Sequence, residues 1–270
     1  MDKKISIILP YYNRKGLILN TLKTFEYFYK NHNVEIVIVD DTSIEEHRLE
    51  EFLKFDLDIK LIRLDSKNGI NPCYPYNVGV RESSGDIIVL SSPETFHTAS
   101  IFETSNNFEN LDNNSYLLFS VFCLTDQEII KQIVEEKDYM MGIKVFDIIK
   151  PKFYKNLGEN GYSWNNNYGS WYTHSQYRPS GLNFFSAITR DRFYEISGFD
   201  ERFRGGTGFD DDEFRDRLMK CGVKFIYIDS GMGIHINHEV VNNMQPTTNR
   251  VIYDKSKKET YKKNNIWGVR

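Results

Sequence analysis

The sequence predicts an α/β fold: a mostly parallel, Rossmann-like sheet flanked by helices. Three observations carry that expectation. Short β-rich runs alternate with helical patterns over roughly the first 120 residues, the arrangement of successive βαβ units. Two of the runs, Ile5-Ser6-Ile7-Ile8-Leu9 and Val34-Glu35-Ile36-Val37-Ile38-Val39, are near-continuously apolar, as strands buried on both faces are. Between them Ile18, Leu22, Phe25 and Tyr29 recur at i, i+4, i+7 and i+11, one stripe of an amphipathic helix.

Taken in order, the first strand closes at Pro10 and the second ends in Asp40-Asp41. Ser43 and Glu46 make a capping box, predicting a helix that turns Leu49, Phe52 and Leu53 inward. Residues 59–64 and 86–90 read as the third and fourth strands, with the turn Asn68-Gly69-Ile70-Asn71-Pro72 entering a short helix over 76–83. Residues 115–122 read as a fifth strand, after which Thr125 and Glu128 cap a helix carrying Ile129, Ile130, Ile133 and Val134. Near residue 155 the composition changes. Residues 156–180 are crowded with Asn, Gly, Tyr and Trp and show neither helical nor strand period. A loop that long is functional or disordered, and Trp164, Trp171, Tyr172 and Tyr177 favour function. Order returns with a strand over 183–189. A helix starts near Asp211 with Phe214, Leu218 and Cys221 on one face, and a last strand covers 223–229. The polar, Lys-rich tail after His238 is expected to wrap the surface. This organises the chain as a single domain over 1–238, with halves at 1–97 and 98–238, followed by a tail over 239–270.

Composition bounds the function. A chain of 270 residues with 40% hydrophobic residues, 19 Phe and 17 Tyr builds a sizeable core, which excludes bulk disorder. Lys and Arg number 34 against 38 Asp and Glu, and a net charge of −4 gives no global attraction to nucleic acid or an anionic membrane. Cys73, Cys123 and Cys221 are odd in number and scattered, forming neither a disulfide framework nor a metal knuckle. No apolar run approaches the ~20 residues of a membrane span, and the start lacks the apolar core of a signal peptide. A cytoplasmic, soluble protein is the expectation. Its oligomeric state is left open.

Open α/β sheets bind ligands outside the carboxyl ends of their strands, which directs attention to residues 10–13, Asp40-Asp41, 91–94 and the loop after Asn68. None contains GxGxxG or GxxxxGK[ST], so dinucleotide and P-loop readings lack their phosphate cradle. A carboxylate at Asp40 or Asp41 suits a base N–H or ribose hydroxyls; alternatively it caps the following helix. Further on, Gly205-Gly206-Thr207-Gly208-Phe209 leads into Asp210-Asp211-Asp212-Glu213. One or two acids satisfy a helix dipole, whereas four repel one another, and crowding of like charge raises a carboxyl pKa toward general-base range. His235 and His238 leave the last strand, where neutral imidazoles complete an oxygen-rich Mn²⁺ or Mg²⁺ site or a protonated one contacts phosphate.

Together these segments resemble a family 2 type glycosyltransferase of the GT-A fold. Ile5-Ser6-Ile7-Ile8-Leu9-Pro10-Tyr11-Tyr12-Asn13 resembles that family's opening strand and Tyr-Asn turn, and Val39-Asp40-Asp41-Thr42-Ser43 its second-strand ending. Asn68-Gly69, Asn77-Val78-Gly79 and Gly85-Asp86-Ile87-Ile88-Val89-Leu90 match the run into its metal-site strand. Ser197-Gly198-Phe199-Asp200, followed by the acidic cluster, resembles a galactosyltransferase-type C-terminal motif. The resemblance spans roughly residues 5–238, with a smaller acceptor-side region completing the fold. It implies nucleotide-sugar binding at Pro10, Tyr12, Asp40, Asn68 and Ser92, with Asp211 as catalytic base and Asp210 beside it. It further implies Mn²⁺ or Mg²⁺ at Glu94 with His235 and His238, although Ser92-Pro93-Glu94 stands where the family has Asp-x-Asp. Trp171, Tyr172 and His174 are assigned to a glycan or related acceptor. The activity implied is inverting transfer of a hexose from a nucleotide sugar, UDP by resemblance, in polysaccharide biosynthesis. Two other readings stand beside it: a catalytically weak nucleotide- or glycan-binding module on the same fold, and a metal-dependent phosphohydrolase using Asp210, Asp211, His235 and His238, which leaves Asp40, Asn68-Gly69 and Tyr12 without a role.

Overall fold

The structure, a computed structural model, describes residues 3–67, 69–103, 108, 110–135, 169–238, 246–259 and 266–269. Strand β1 (Ile5–Tyr11) pairs in parallel with β2 (Val34–Asp40) and β4 (Ile87–Ser91), and β2 with β3 (Asp58–Arg63). Beyond β4 the sheet becomes mixed. Strand β8 (Phe185–Thr189) runs antiparallel between β4 and β6 (Ser115–Leu124), and β9 (Lys224–Ile236) returns parallel to β6. Two short strands, β5 (Thr95–His97) on β9 and β7 (Gly169–Thr173) on β6, are antiparallel additions. The order is β3-β2-β1-β4-β8-β6-β9-β5, with β7 attached to β6.

Alternation along β1 explains its continuous apolarity. Ile7 and Leu9 pack with Ile18, Leu22 and Phe25 of α1 (Lys15–Tyr29) on one face of the sheet. Ile8 points to the other face, where it joins Val78 and Val80 of α2 (Cys73–Glu82). Helices α4 (Arg190–Glu195) and α5 (Asp210–Lys220) add Phe193, Phe214 and Leu218 to that second layer. A smaller third cluster gathers Phe96, Phe122, Trp171 and Ile234, against which Ile129 and Ile130 of α3 (Gln127–Glu135) pack.

Several local expectations are revised. The capping box at Ser43 makes no helix, only a 3-10 turn over Glu45–His47, because the Ser43 hydroxyl accepts the Asn13 N–H at 3.0 Å instead. The N-terminus of α3 is capped by Asp126, whose Oδ1 accepts the Ile129 N–H at 3.0 Å. Residues 169–173, assigned to a periodless loop, form β7, while 156–168, Trp164 among them, lie outside the described residues. Cys221 is exposed just past α5. The last strand runs on to Ile236, so His235 belongs to it. Nor is the tail merely a wrapping: α6 (Pro246–Ser256) packs on α5, and Trp267 enters the core beside Phe193 and Tyr194, with Arg81 over its ring at 4.3 Å. Among the described residues no helix is long and apolar enough to cross a membrane.

Candidate active site

The carboxyl ends of β1, β2, β4 and β9, the start of β8 and the N-terminus of α5 meet at a cleft of about 430 Å³. It is this cleft, and not the larger hollow of about 1070 Å³ beside Arg202, Arg217 and Trp267, that lies where a parallel sheet offers its ligand crevice.

The first wall is built from two interlocked turns. Asn13 and Thr42 adopt left-handed backbone, at φ 52 and 64, a conformation non-glycine residues seldom hold without support. The support is mutual: Asn13 Oδ1 accepts the Ile44 N–H at 2.9 Å while its own N–H goes to Ser43. Asp40 is thereby turned away from the cleft. It is wholly buried, accepting the Ser43 N–H at 2.7 Å and pairing with Arg63 at 2.9 Å. The carboxylate that faces the cleft is Asp41, paired with Lys67 at 3.0 Å. Lys67 lies over the Tyr12 ring, 3.2 Å from its centroid, so cation, aromatic face and carboxylate form one patch beside Pro10. Asn68 lies outside the described residues.

The floor comes from the turn after β4. Ser92 lines the cleft and its hydroxyl meets that of Thr95 at 2.6 Å. Glu94 is drawn inward, because Ile236 of β9 donates its N–H to the Glu94 carbonyl at 3.0 Å and β5 pairs Thr95 with His235. Glu94, His235 and His238 thus bring ligand atoms within 4.8 Å of one another, the one such group among the described residues. His235 is buried with an unpartnered Nδ1, and burial lowers its pKa to about 4, so it is a neutral donor near pH 7. One carboxylate and two imidazoles, with an orphaned nitrogen among them, fit a divalent cation such as Mn²⁺. Arg14 also reaches this group, its Nη1 standing 2.7 Å from Glu94 Oε1.

The opposite wall is the start of α5. Its four acids divide into two pairs. Asp212 pairs with Arg215 at 2.9 Å, and Glu213 holds Arg217 in a bidentate contact at 2.7 and 2.8 Å. Asp210 and Asp211 instead receive neutral amides and line the cleft. Asn71 donates to Asp210 at 2.8 Å, and Asn183 gives Asp211 both its side-chain amide at 2.7 Å and its backbone N–H at 3.2 Å. Burial, and for Asp211 next the neighbouring Asp210, raises the pKa of both carboxyls, that of Asp211 most. Asn71 is fixed in turn by its loop. Ile70 and Asn71 donate to the Arg204 carbonyl, and Gly69, at φ 130, passes so close that a Cβ would stand 2.0 Å from that oxygen.

Pro10, Tyr12, Ser92, Glu94, Asp210, Asp211, His235 and His238 are therefore brought together as expected. Trp171, Tyr172 and His174 are not. Trp171 is core, stacked edge-on against Phe122, and His174 Nδ1 is spent accepting the N–H groups of Gln176 and Tyr177. Tyr172 stands behind His235, ring centroids 5.1 Å apart, and does not line the cleft. Apolar packing of β7 on β6 outcompetes exposure of these rings. Sequence reasoning missed Arg14, Lys67, Asn71 and Asn183. Asn71 and Asn183 meet acids 139 and 28 residues away, a relation no local pattern encodes.

Comparison with known proteins points to one class. Residues 6–97 match the family model for glycosyl transferase family 2, and residues 172–239 that for the N-terminal domain of galactosyltransferase. The chain is 30% identical over 114 residues to an uncharacterized glycosyltransferase of Rickettsia bellii (strain RML369-C), covering 40% of this chain and 16% of that protein. It is 25% identical over 239 residues to chondroitin synthase of Pasteurella multocida (strain Pm70), 86% of this chain and 24% of that one. The chain thus spans a quarter or less of these relatives' length. Among solved structures, GalNAc-T7 with UDP, GalNAc and Mn²⁺ superposes with a TM-score of 0.62 at 15% identity, over 94% of this chain and 50% of that one. S. aureus TarS 1-349 in complex with UDP-GlcNAc gives 0.60 at 13% identity, over 88% and 60%. On one GT-A sheet, the chain thus matches the family 2 type glycosyltransferases over residues 6–97 and a galactosyltransferase-type segment over residues 172–239.

Proposed function

We propose that the cleft transfers a hexose from a nucleotide sugar, with UDP the favoured nucleotide, to a hydroxyl of a glycan or related acceptor, inverting the anomeric carbon. The observation that carries this reading is the facing of two differently prepared groups across one cleft. Asp210 and Asp211 are held by amides, and Glu94, His235 and His238 form the cation-ready group opposite.

In this reading the Tyr12, Asp41 and Lys67 patch binds the nucleoside: Asp41 accepts from base or ribose, and Tyr12 offers a ring face. Glu94, His235 and His238 would hold Mn²⁺ or Mg²⁺, which would supply positive charge against that growing on the departing diphosphate. Asp211 takes the acceptor proton as the hydroxyl oxygen attacks from the face opposite the leaving group, a single displacement that inverts configuration. A raised pKa strengthens Asp211 as a base at the cost of the fraction ionised, and Asn183 orients the carboxylate. Asp210 lies beside it toward the donor or acceptor sugar. Of the two solved structures named above, one is described with UDP, GalNAc and Mn²⁺ and the other with UDP-GlcNAc, which supports a UDP-sugar and a metal here.

Melting curves with UDP, GDP, CMP and ADP, each with Mn²⁺ or a chelator, test this without knowledge of the acceptor. A ligand at a hundred times its dissociation constant stabilises the native state by about 2.7 kcal/mol. A shift that needs both UDP and Mn²⁺ is expected. Stabilisation by UDP that ignores the chelator would remove the metal from the reading, and no shift with any nucleotide would leave a glycan-binding module as the better account.

A further inference from the structure

We infer that Arg14 is a built-in counter-cation that moves between Glu94 and the nucleoside diphosphate, so that the divalent-cation site opens fully only when the diphosphate is bound. The inference rests on the nucleotide-binding reading above and deepens it.

Glu94 is the single carboxylate of the cation-ready group, and it is 3% exposed. A buried carboxylate needs a compensating charge, and Arg14 supplies it at 2.7 Å. A divalent ion taking the same oxygen would meet a guanidinium already there, and the two cations repel. His235 and His238 supply no negative charge to offset this when neutral. His235 also brings a buried, unpartnered Nδ1 to the group. Arg14 itself is not locked in place. It precedes α1, makes no side-chain cap for that helix, keeps 29% of its side chain exposed, and lines the cleft with Glu94. Guanidinium prefers bidentate phosphate oxygens to one carboxylate oxygen, so a diphosphate in the cleft gives Arg14 a better partner and frees Glu94. Nucleotide and metal then reinforce each other's binding, and by linkage the factor is the same in both directions.

The test is calorimetric titration of the whole chain with Mn²⁺ alone, with UDP in chelator, and with Mn²⁺ at saturating UDP. Parent, Arg14→Gln and Glu94→Gln are compared. In the parent, UDP is expected to tighten Mn²⁺ binding by about tenfold or more, within the 5–150-fold range of typical coupling. Arg14→Gln should bind Mn²⁺ alone about tenfold more tightly than the parent and lose most of the coupling. Glu94→Gln releases Arg14, and should bind UDP in chelator several-fold more tightly than the parent while losing its response to Mn²⁺. If Arg14→Gln does not fold, as its melting curve would show, the Glu94→Gln arm carries the test. Parent-like Mn²⁺ affinity and coupling in Arg14→Gln, or unchanged metal-free UDP binding in Glu94→Gln, overturns the inference alone. A parent that binds neither Mn²⁺ nor any nucleotide overturns it together with the transferase reading.

Discussion

Two walls of one cleft treat their carboxylates in opposite ways. On the strand-end side both acids that reach the cleft face a cation, Asp41 with Lys67 and Glu94 with Arg14 at 3.0 and 2.7 Å, as does Asp40 buried behind them, with Arg63 at 2.9 Å. On the helix wall the two acids that reach the cleft face neutral amides, from Asn71 and Asn183, while the two that do not, Asp212 and Glu213, have arginines. A neighbouring cation favours the charged carboxylate and holds it for binding; an amide orients a carboxylate but leaves burial free to raise its proton affinity. The partner of each acid, more than its place in an acidic run, separates a ligand-holding group from a proton-accepting one.

The largest expected effect follows from removing the base while keeping its shape. Asp211→Asn should lower transfer by roughly 10²–10⁴-fold, the range of general-base catalysis, with UDP affinity little changed. The same substitution should raise the melting temperature. The folded-state pKa of Asp211 is raised, so the native state binds the proton more tightly than the unfolded one, and stability falls as pH climbs from the ordinary aspartate range through the raised value. Asparagine removes that penalty, worth roughly 2–4 °C if about 1 kcal/mol is recovered. Loss of transfer with a lowered melting temperature would mean that the fold, and not the base, had been damaged.

Second in size is the cation-paired wall. Lys67→Met keeps length and apolar contact with Tyr12 but removes the charge, and should weaken nucleotide binding by about tenfold, the worth of one charge-assisted contact. Turnover at saturating donor should hardly move. A fall in turnover with unchanged affinity would break the division of labour between the walls.

How far the sequence revealed this site depends on the range of the interaction. Strand ends were legible because continuous apolar runs stop at Pro10, Asp40 and Leu90, and the crevice rule then gathers them. The acidic turn was legible as an anomaly of charge. What separated its members was not, because Arg215 and Arg217 lie within one helical turn while Asn71 and Asn183 arrive from distant loops. The residues alone left Asp40 and Asp41 both open and the resemblance implied Asp40; the structure buries Asp40 wholly and puts Asp41 in the cleft lining, a difference set by how the next turn bends. Trp171 was assigned to an acceptor because its segment shows no period, yet five residues suffice to pair with β6 and bury its ring.

A smaller effect tests the amide's part directly. Asn183→Ala removes the 2.7 Å donor that partly offsets the upward shift at Asp211, leaving the backbone donor in place. The acidic limb of the pH profile for transfer, which reports the base becoming ionised, should move upward, and activity near neutrality should fall several-fold. Recovery toward parent rates at higher pH distinguishes this from lost geometry.

The smallest expected effect is at Asp212, and it is the most discriminating. Asp212 pairs with Arg215 and lies outside the cleft lining, yet its charge adds to the raised proton affinity of Asp211. If the four-acid run worked as a unit, Asp212→Asn would be as harmful as Asp211→Asn. If partners decide roles, it removes one neighbouring like charge, moves the acidic limb downward, and leaves the plateau rate within about twofold. The direction is the informative part. Asn183→Ala and Asp212→Asn should move the same limb opposite ways, because one deletes a donor that favours the ionised base and the other deletes a charge that opposes it. Equal or same-direction shifts would place the titrating group elsewhere than Asp211.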